Sequence, residues 1–354
     1  MPAETLHPAP YGPSVTLPAP YPPGTAFPLS LKPARPDIAL AEMTAEIRGL
    51  AASGRLRSLL DRHGAIYFQG LGLRDAHEFS AFAHAFGWRP HEDIGNPVRR
   101  TVVAENVATA NEGPSTMPVY PHNEFGLSPH YPAYVLFYCV SEPETGGETP
   151  INNSVVLYRH LKERFPGFIE EVERKGIKYQ LFYPNGPKDQ TSSAGTTVRQ
   201  AYGKNILDSD DTETARQKTE EEIRRLPTAT YVFLLMIRPD FVLIVSLAVR
   251  NHPHTGEPAF FNNAVSRFLN ALQNDTLLPP HTNSEGKYQP PYGDDSLIPR
   301  EYLDSAVEYI NKTRSLVTWK TGDVIVLDNH SVQHAREPWT GNRKLLASLW
   351  DEAE

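Results

Sequence analysis

Cysteine is almost missing from this chain of 354 residues: Cys139 is the only one. One thiol can neither close an internal disulfide nor build a cysteine-rich zinc site, so a reducing, cytoplasmic setting is expected. Long apolar runs are missing as well. The most hydrophobic stretch, Tyr231 to Val249, is interrupted by the charged turn signal Arg238-Pro239-Asp240, so it reads as two strands of a hairpin and not as a membrane span. The mean hydropathy of −0.43 agrees with that reading. No basic segment followed by an apolar run opens the chain, so secretion is not expected. Dense basic runs are absent too. The 34 Lys and Arg against 42 Asp and Glu give a net charge of −8, which offers a phosphate backbone no bulk attraction and excludes nucleic acid as the expected partner.

Proline, by contrast, is abundant and unevenly spread. Residues 1–36 carry eleven of the 33 prolines and read as an extended N-terminal arm, whose end, Phe27 to Leu31, can pair as an edge strand. The remainder, 37–354, reads as a single domain. Amphipathic helices are expected over about Ile38 to Ala52 and through Leu56, Leu59 and Leu60, with Gly64 as the stop. A buried strand follows at Ala65 to Gly70, then a helix over Asp75 to Phe86 with Phe79, Phe82 and Phe86 at helical spacing. From Pro132 onward the texture changes to short strands between turns, among them Ala133 to Val140, Ser315 to Trp319, Val324 to Leu327 and Leu345 to Trp350. The expected fold is mainly β with helical decoration, a jelly roll or barrel. A charged helical insert is expected near 212–226, and the polar, proline-rich stretch 273–298 reads as a lid-like loop.

Two short motifs carry the chemistry. One is His122-Asn123-Glu124; the other is Asp328 to Arg336 (DNHSVQHAR), followed by Arg343. Residues i and i+2 of a strand share a face, so His122 and Glu124 can converge on one ion. His334, near the other end of the chain, can complete a site of two imidazoles and one carboxylate, the arrangement that holds non-haem Fe(II) and leaves three positions open. His330 is a rival to His334, because i and i+4 also share a strand face. A fixed cation beyond the last histidine, Arg343, would suit a dianionic cosubstrate.

The order of these motifs resembles the taurine dioxygenase-like superfamily of Fe(II)/2-oxoglutarate enzymes, and within it the clavaminate synthase-like branch. The resemblance rests most on 121–151 (PHNEFGLSPHYPAYVLFYCVSEPETGGETPI) and 322–349, with support from 63–86 and 252–263 (HPHTGEPAFFNN). It implies a double-stranded β-helix with His122, Glu124 and His334 as iron ligands and Arg343 as the salt-bridge partner of the distal 2-oxoglutarate carboxylate. It also implies a hydroxyl hydrogen bond from Thr149 and a role for Arg336 in holding cosubstrate or substrate. Glu124 stands where many members use Asp, and Ala347 where some place a second arginine. A halogenase would lack the carboxylate, so Glu124 argues against that activity.

The expectation is therefore an oxygenase using Fe(II), 2-oxoglutarate and dioxygen on an aliphatic C–H of a small polar substrate. A free amino acid or derivative is the substrate expected, by hydroxylation, desaturation or ring closure. Phe125, Asn106, Arg199, Gln200, Asn262 and Asn263 are the candidate substrate contacts, with Arg199 or Arg336 on a substrate carboxylate. Two other classes stay open at this point: a zinc hydrolase with the same ligands, and a jelly-roll binding protein without iron.

Overall fold

The computed structural model describes residues 5–353 apart from 36, 96–99, 111–112, 184–196, 233–239 and 275–290. Its centre is an eight-residue strand, Tyr134–Ser141, and the reason it is central can be read from its side chains. Successive strand residues face opposite ways. Tyr134, Leu136 and Tyr138 join one apolar cluster, with Phe79, Phe82 and Phe86 of the preceding helical region. Val135, Phe137 and Cys139 join another, with Ile151, Val317 and Val332. A strand buried on both faces needs an unbroken apolar run, which is what the sequence supplies. Each large side chain so buried contributes about 1.5–3 kcal/mol by leaving water.

Tyr134–Ser141 pairs antiparallel with Val324–Asp328 on one side and Lys344–Asp351 on the other. Outward from there the nine-stranded sheet adds Ala65–Phe68, Leu29–Pro33 and Leu6–Pro8 at one edge, and the hairpin Val107–Thr109 and Val102–Ala104 at the other. A second sheet of four strands runs in the order Ser315–Val317, Thr149–Asn153, Val332–Arg336, Val119–His122. The two sheets face each other across the Ile151, Val317 and Val332 cluster, and helices Leu40–Ala52, Arg55–His63 and Ala76–His84 cover the other face of the large sheet. The protein is mainly β with helices.

The proline-rich N-terminal residues lie on this framework: Leu29–Pro33 pairs in parallel with Ala65–Phe68, and Leu6, Leu17 and Phe27 are buried. Gly64 ends its helix at φ +66°, where an added Cβ would meet Val332 Cγ2 at 3.0 Å, so the chain turns there at a point of close approach. Thr212–Ile223 forms the expected charged helix, capped by Asp211. Ala229–Val232 and Asp240–Ser246 pair antiparallel, with the turn between them outside the described residues. Most of the 273–298 loop likewise lies outside them. No described helix is long and apolar enough to cross a membrane.

Candidate metal centre and anion pocket

Strand pairing brings the two motifs together. His122, the last residue of its strand, is the cross-strand partner of His334 in the middle of Val332–Arg336, and their rings lie 4.3 Å apart. Glu124 follows just beyond the strand end. Its backbone N–H donates to Asn329 Oδ1 at 2.8 Å, and Asn329 Nδ2 donates back to Glu124 O at 2.9 Å and to Pro132 O at 2.8 Å. Between the two ligand candidates, fully buried Asn123 donates to Asn329 O at 2.8 Å and accepts from the Asn262 amide at 3.2 Å. The loop is thus fixed by side-chain amides where sheet bonds give out.

The donor atoms of His122, Glu124 and His334 all lie within 4.8 Å of one another. Glu124 Oε2 is 3.4 Å from His334 Nε2 and 3.9 Å from His122 Nε2. His122 Nδ1–H donates to Tyr120 O at 2.8 Å, so the lone pair rests on Nε2, facing the cluster. Burial and the neighbouring His334 push the His122 imidazolium down to about 4. Burial opposes charge on Glu124, but Arg100, His334 and His122 overcome it and hold the carboxyl well below its usual range. A neutral imidazole and an ionised carboxylate are the forms a divalent metal requires. The donor set fits iron.

His330 is excluded from this cluster. It is partly buried beside Tyr131, Phe261 and His252, and desolvation there pushes it down to about 4. A second convergence of donors, Asp61, His252 and Asp328, has a structural explanation. His252 Nδ1 accepts the backbone N–H groups of His254 and Thr255 while Nε2 donates to Asp328 at 2.8 Å, so neither nitrogen has a lone pair to give.

A cavity of about 150 Å³ opens from the His–Glu–His cluster and is lined by Thr149, Arg336 and Arg343 among others. Arg343 Nε donates to Gly147 O at 2.8 Å and Nη2 to Thr149 Oγ1 at 3.4 Å. Trp319 Nε1 also donates to that hydroxyl, at 2.9 Å. An added Cβ on Gly147 (φ +71°) would sit 2.8 Å from Arg343 Cδ, so the Gly-Gly-Glu-Thr turn is what lets the arginine lie close. No carboxylate pairs with Arg343 among the described residues, and burial, with Arg336 nearby, lowers its guanidinium to about 10. Drawing a cation partly out of water without a counterion is costly, and the cost is relieved if an anion occupies the cavity. Arg336 donates to Met117 O at 3.0 Å and lies over Trp339.

The candidate substrate contacts divide. Phe125 (φ +53°) and Asn263 line the cavity. Asn262 does not: it is buried, with its amide on Ala248 O at 2.9 Å and on the Ala264 N–H. Asn106 sits at a hairpin turn with φ +49° and donates to Leu349 O, because a polar residue that tolerates the left-handed region suits a turn. Arg199 is 58% exposed and paired with Asp208, away from the cavity, and Gln200 closes the capping box of its own short helix. The sequence reading missed Arg100 and Trp319. Trp319 was visible only as the end of a strand, and Arg100 carried no motif at all.

A set of two histidines and a glutamate, with a half-buried arginine and a buried threonine across one cavity in a two-sheet framework, matches one class. Residues 28–350 fit the model of the "Taurine catabolism dioxygenase TauD, TfdA family". The chain belongs to that family and is a dioxygenase of a 2-oxoglutarate-dependent kind. It is similar to a clavaminate synthase-like protein of Arabidopsis thaliana, 27% identical over 299 residues and 83% of each chain. It is also similar to the dapdiamide synthesis protein DdaC of Enterobacter agglomerans, 25% identical over 310 residues, 83% of this chain and 84% of that one. Among solved structures, AAD-2 in complex with Mn(II) and N-oxalylglycine shares the fold, with a TM-score of 0.50 and 13% identity, covering 96% of this chain and 97% of that one.

Proposed function

We propose that this protein is an Fe(II)/2-oxoglutarate-dependent oxygenase acting on an aliphatic C–H of a small polar substrate, a free amino acid or a close derivative. His122, Glu124 and His334 would hold the iron. The two facing sheets then correspond to a double-stranded β-helix, or jelly roll, with the site between them. The observation that carries the proposal is Arg343: a half-buried guanidinium beside Thr149 in the cavity of the His–Glu–His cluster, without a carboxylate of its own among the described residues. A planar donor fork of this kind matches a carboxylate bidentately.

Bound iron, with 2-oxoglutarate and dioxygen, would supply an oxidant able to remove hydrogen from an unactivated C–H, with succinate and CO2 as coproducts. The chain's own residues do the rest. Arg343 and the Thr149 hydroxyl orient the cosubstrate, Trp319 fixes that hydroxyl, and Phe125 and Phe137 present apolar walls that exclude water. Arg336, at the same cavity, is the group we assign to a substrate carboxylate. The amino-acid assignment is supported by the Glu ligand variant, by this second cavity arginine, and by a relative whose name concerns dapdiamide synthesis, which points to biosynthesis.

A zinc hydrolase with the same ligands would need a general base beside the metal-bound water. Among the described residues the one carboxylate lining the cavity is Glu124, already a ligand in that reading. The test is a panel of free L-amino acids incubated with Fe(II), 2-oxoglutarate and air, read by mass spectrometry. Substrate-dependent succinate is expected, with gain of one oxygen for hydroxylation or loss of two hydrogens for desaturation or ring closure. Succinate formation stimulated only by a sulfonate, a terpenoid or a carrier-bound substrate would contradict the amino-acid assignment.

A further inference from the structure

Arg100 approaches the proposed metal site from the opposite sheet. It lies two residues before the Val102–Ala104 strand, which forms an edge hairpin of the large sheet, while all three ligand candidates lie in or just beyond the small one. The hairpin is tied down at both ends. Thr101 N–H donates to Thr109 Oγ1 at 3.1 Å, Asn106 Nδ2 donates to Leu349 O at 2.9 Å, and Ser348 Oγ donates to Asn106 O at 2.6 Å. Arg100 Nη2 donates to Glu124 Oε1 at 2.5 Å. The Arg100 side chain is 14% exposed, its Nε is buried with no hydrogen-bond partner, and Glu124 is its one ion-pair partner among the described residues.

The two oxygens of Glu124 therefore have different neighbours. Oε1 is taken by Arg100, while Oε2 faces His334 Nε2 and His122 Nε2. We propose that Arg100 is a positioning residue that keeps Glu124 a one-oxygen ligand, holding the second oxygen away from the metal. This rests on the metal reading given above. The physical need is specific to glutamate, whose extra methylene adds a torsion and with it the freedom to swing into a two-oxygen chelate. A chelating Glu124 would occupy a fourth position on an octahedral ion. Only two would then remain, too few for a bidentate 2-oxo acid and dioxygen together. A charge-assisted bond to a guanidinium fixed by its own hairpin removes that freedom. Arg100 is placed by the fold and not by the ligand motif, which is why no local pattern announces it.

The test counts water on the metal without turnover. Mn(II) is bound to the full-length protein, and 17O-water broadening of its EPR lines gives the number of coordinated waters. Wild type and Arg100→Lys, which keeps a donor and a charge, are expected to show three. Arg100→Met is expected to show two, and to bind 2-oxoglutarate at least tenfold more weakly while retaining Mn(II). Circular dichroism checks that each variant is folded, and Arg100→Gln replaces Arg100→Met if the latter is not. Three waters in the folded Met or Gln variant, with only the substrate KM changed, would overturn the proposal and make Arg100 a substrate anchor. Wild-type protein that takes up no Mn(II) would instead overturn the metal reading, and the Arg100 role with it.

Discussion

Arg343 and Arg199 show how differently one residue type is used. Arg199 is exposed and spends its charge on Asp208 in water, where such a pair is worth little. Arg343 is half-buried in the cavity wall, and its contacts are a carbonyl and a hydroxyl. Arg343→Ala should therefore weaken 2-oxoglutarate binding by about 2–5 kcal/mol, and Thr149→Val by about 1 kcal/mol, both read by calorimetry on metal-loaded protein. Arg199→Ala should change neither that affinity nor the KM for substrate. At the metal, His334→Ala should lose Fe(II) in equilibrium dialysis, whereas His330→Ala should retain it, because the His330 ring packs on Tyr131 and Phe261 outside the donor cluster. Retention of Fe(II) by His334→Ala together with its loss in His330→Ala would reverse the assignment. The His122, Glu124 and His334 donor cluster was legible in the sequence because donor type and spacing are local properties. Arg100 and Trp319 were not, since each reaches the site through contacts that only the tertiary fold creates.

At the scale of elements, the ligand loop depends on side-chain amides that bridge segments far apart in the chain. Asn329 makes a peptide-like pair with the Glu124 backbone and binds Pro132 O as well. Asn329→Ala would leave buried backbone groups without partners, so a loss of about 3 kcal/mol or more in unfolding free energy is expected, with weaker Fe(II) retention. Next to it, Asp328 is fully buried. Burial opposes its charge, but the hydrogen bond from His252 Nε2 prevails and holds its carboxyl below the usual value. A depressed carboxyl adds stability that is present above the unfolded pKa of about 3.9 and disappears as pH falls through the lower folded value. Acid unfolding of wild type should steepen below about pH 4, and Asp328→Asn should flatten that limb while lowering stability at neutral pH; identical acid limbs would contradict the role given to Asp328. The long strands were legible from their apolar runs. The Val102–Ala104 and Val107–Thr109 hairpin was not, because three-residue strands carry too little pattern, and Asn106 looked like a binding residue when its work is to make the turn.

For the whole molecule, the cavity depends on two facing sheets that carry residues from distant parts of the chain to one place. His122 and His334 meet only because Val119–His122 and Val332–Arg336 are neighbours in the small sheet, and Arg343 reaches the cavity at the start of a strand in the large one. Mixed helical and β character was readable from composition and period, but which strands face each other was carried by family resemblance. The central claim is that one cavity binds a divalent metal and 2-oxoglutarate together. The most direct measurement is an anaerobic calorimetric titration of 2-oxoglutarate into the protein with and without Fe(II), which needs no knowledge of the substrate. Tight binding that requires Fe(II), and that is lost in both His334→Ala and Arg343→Ala, is the predicted result. Binding of equal strength without metal, or no binding by the Fe(II)-loaded wild type, would contradict it.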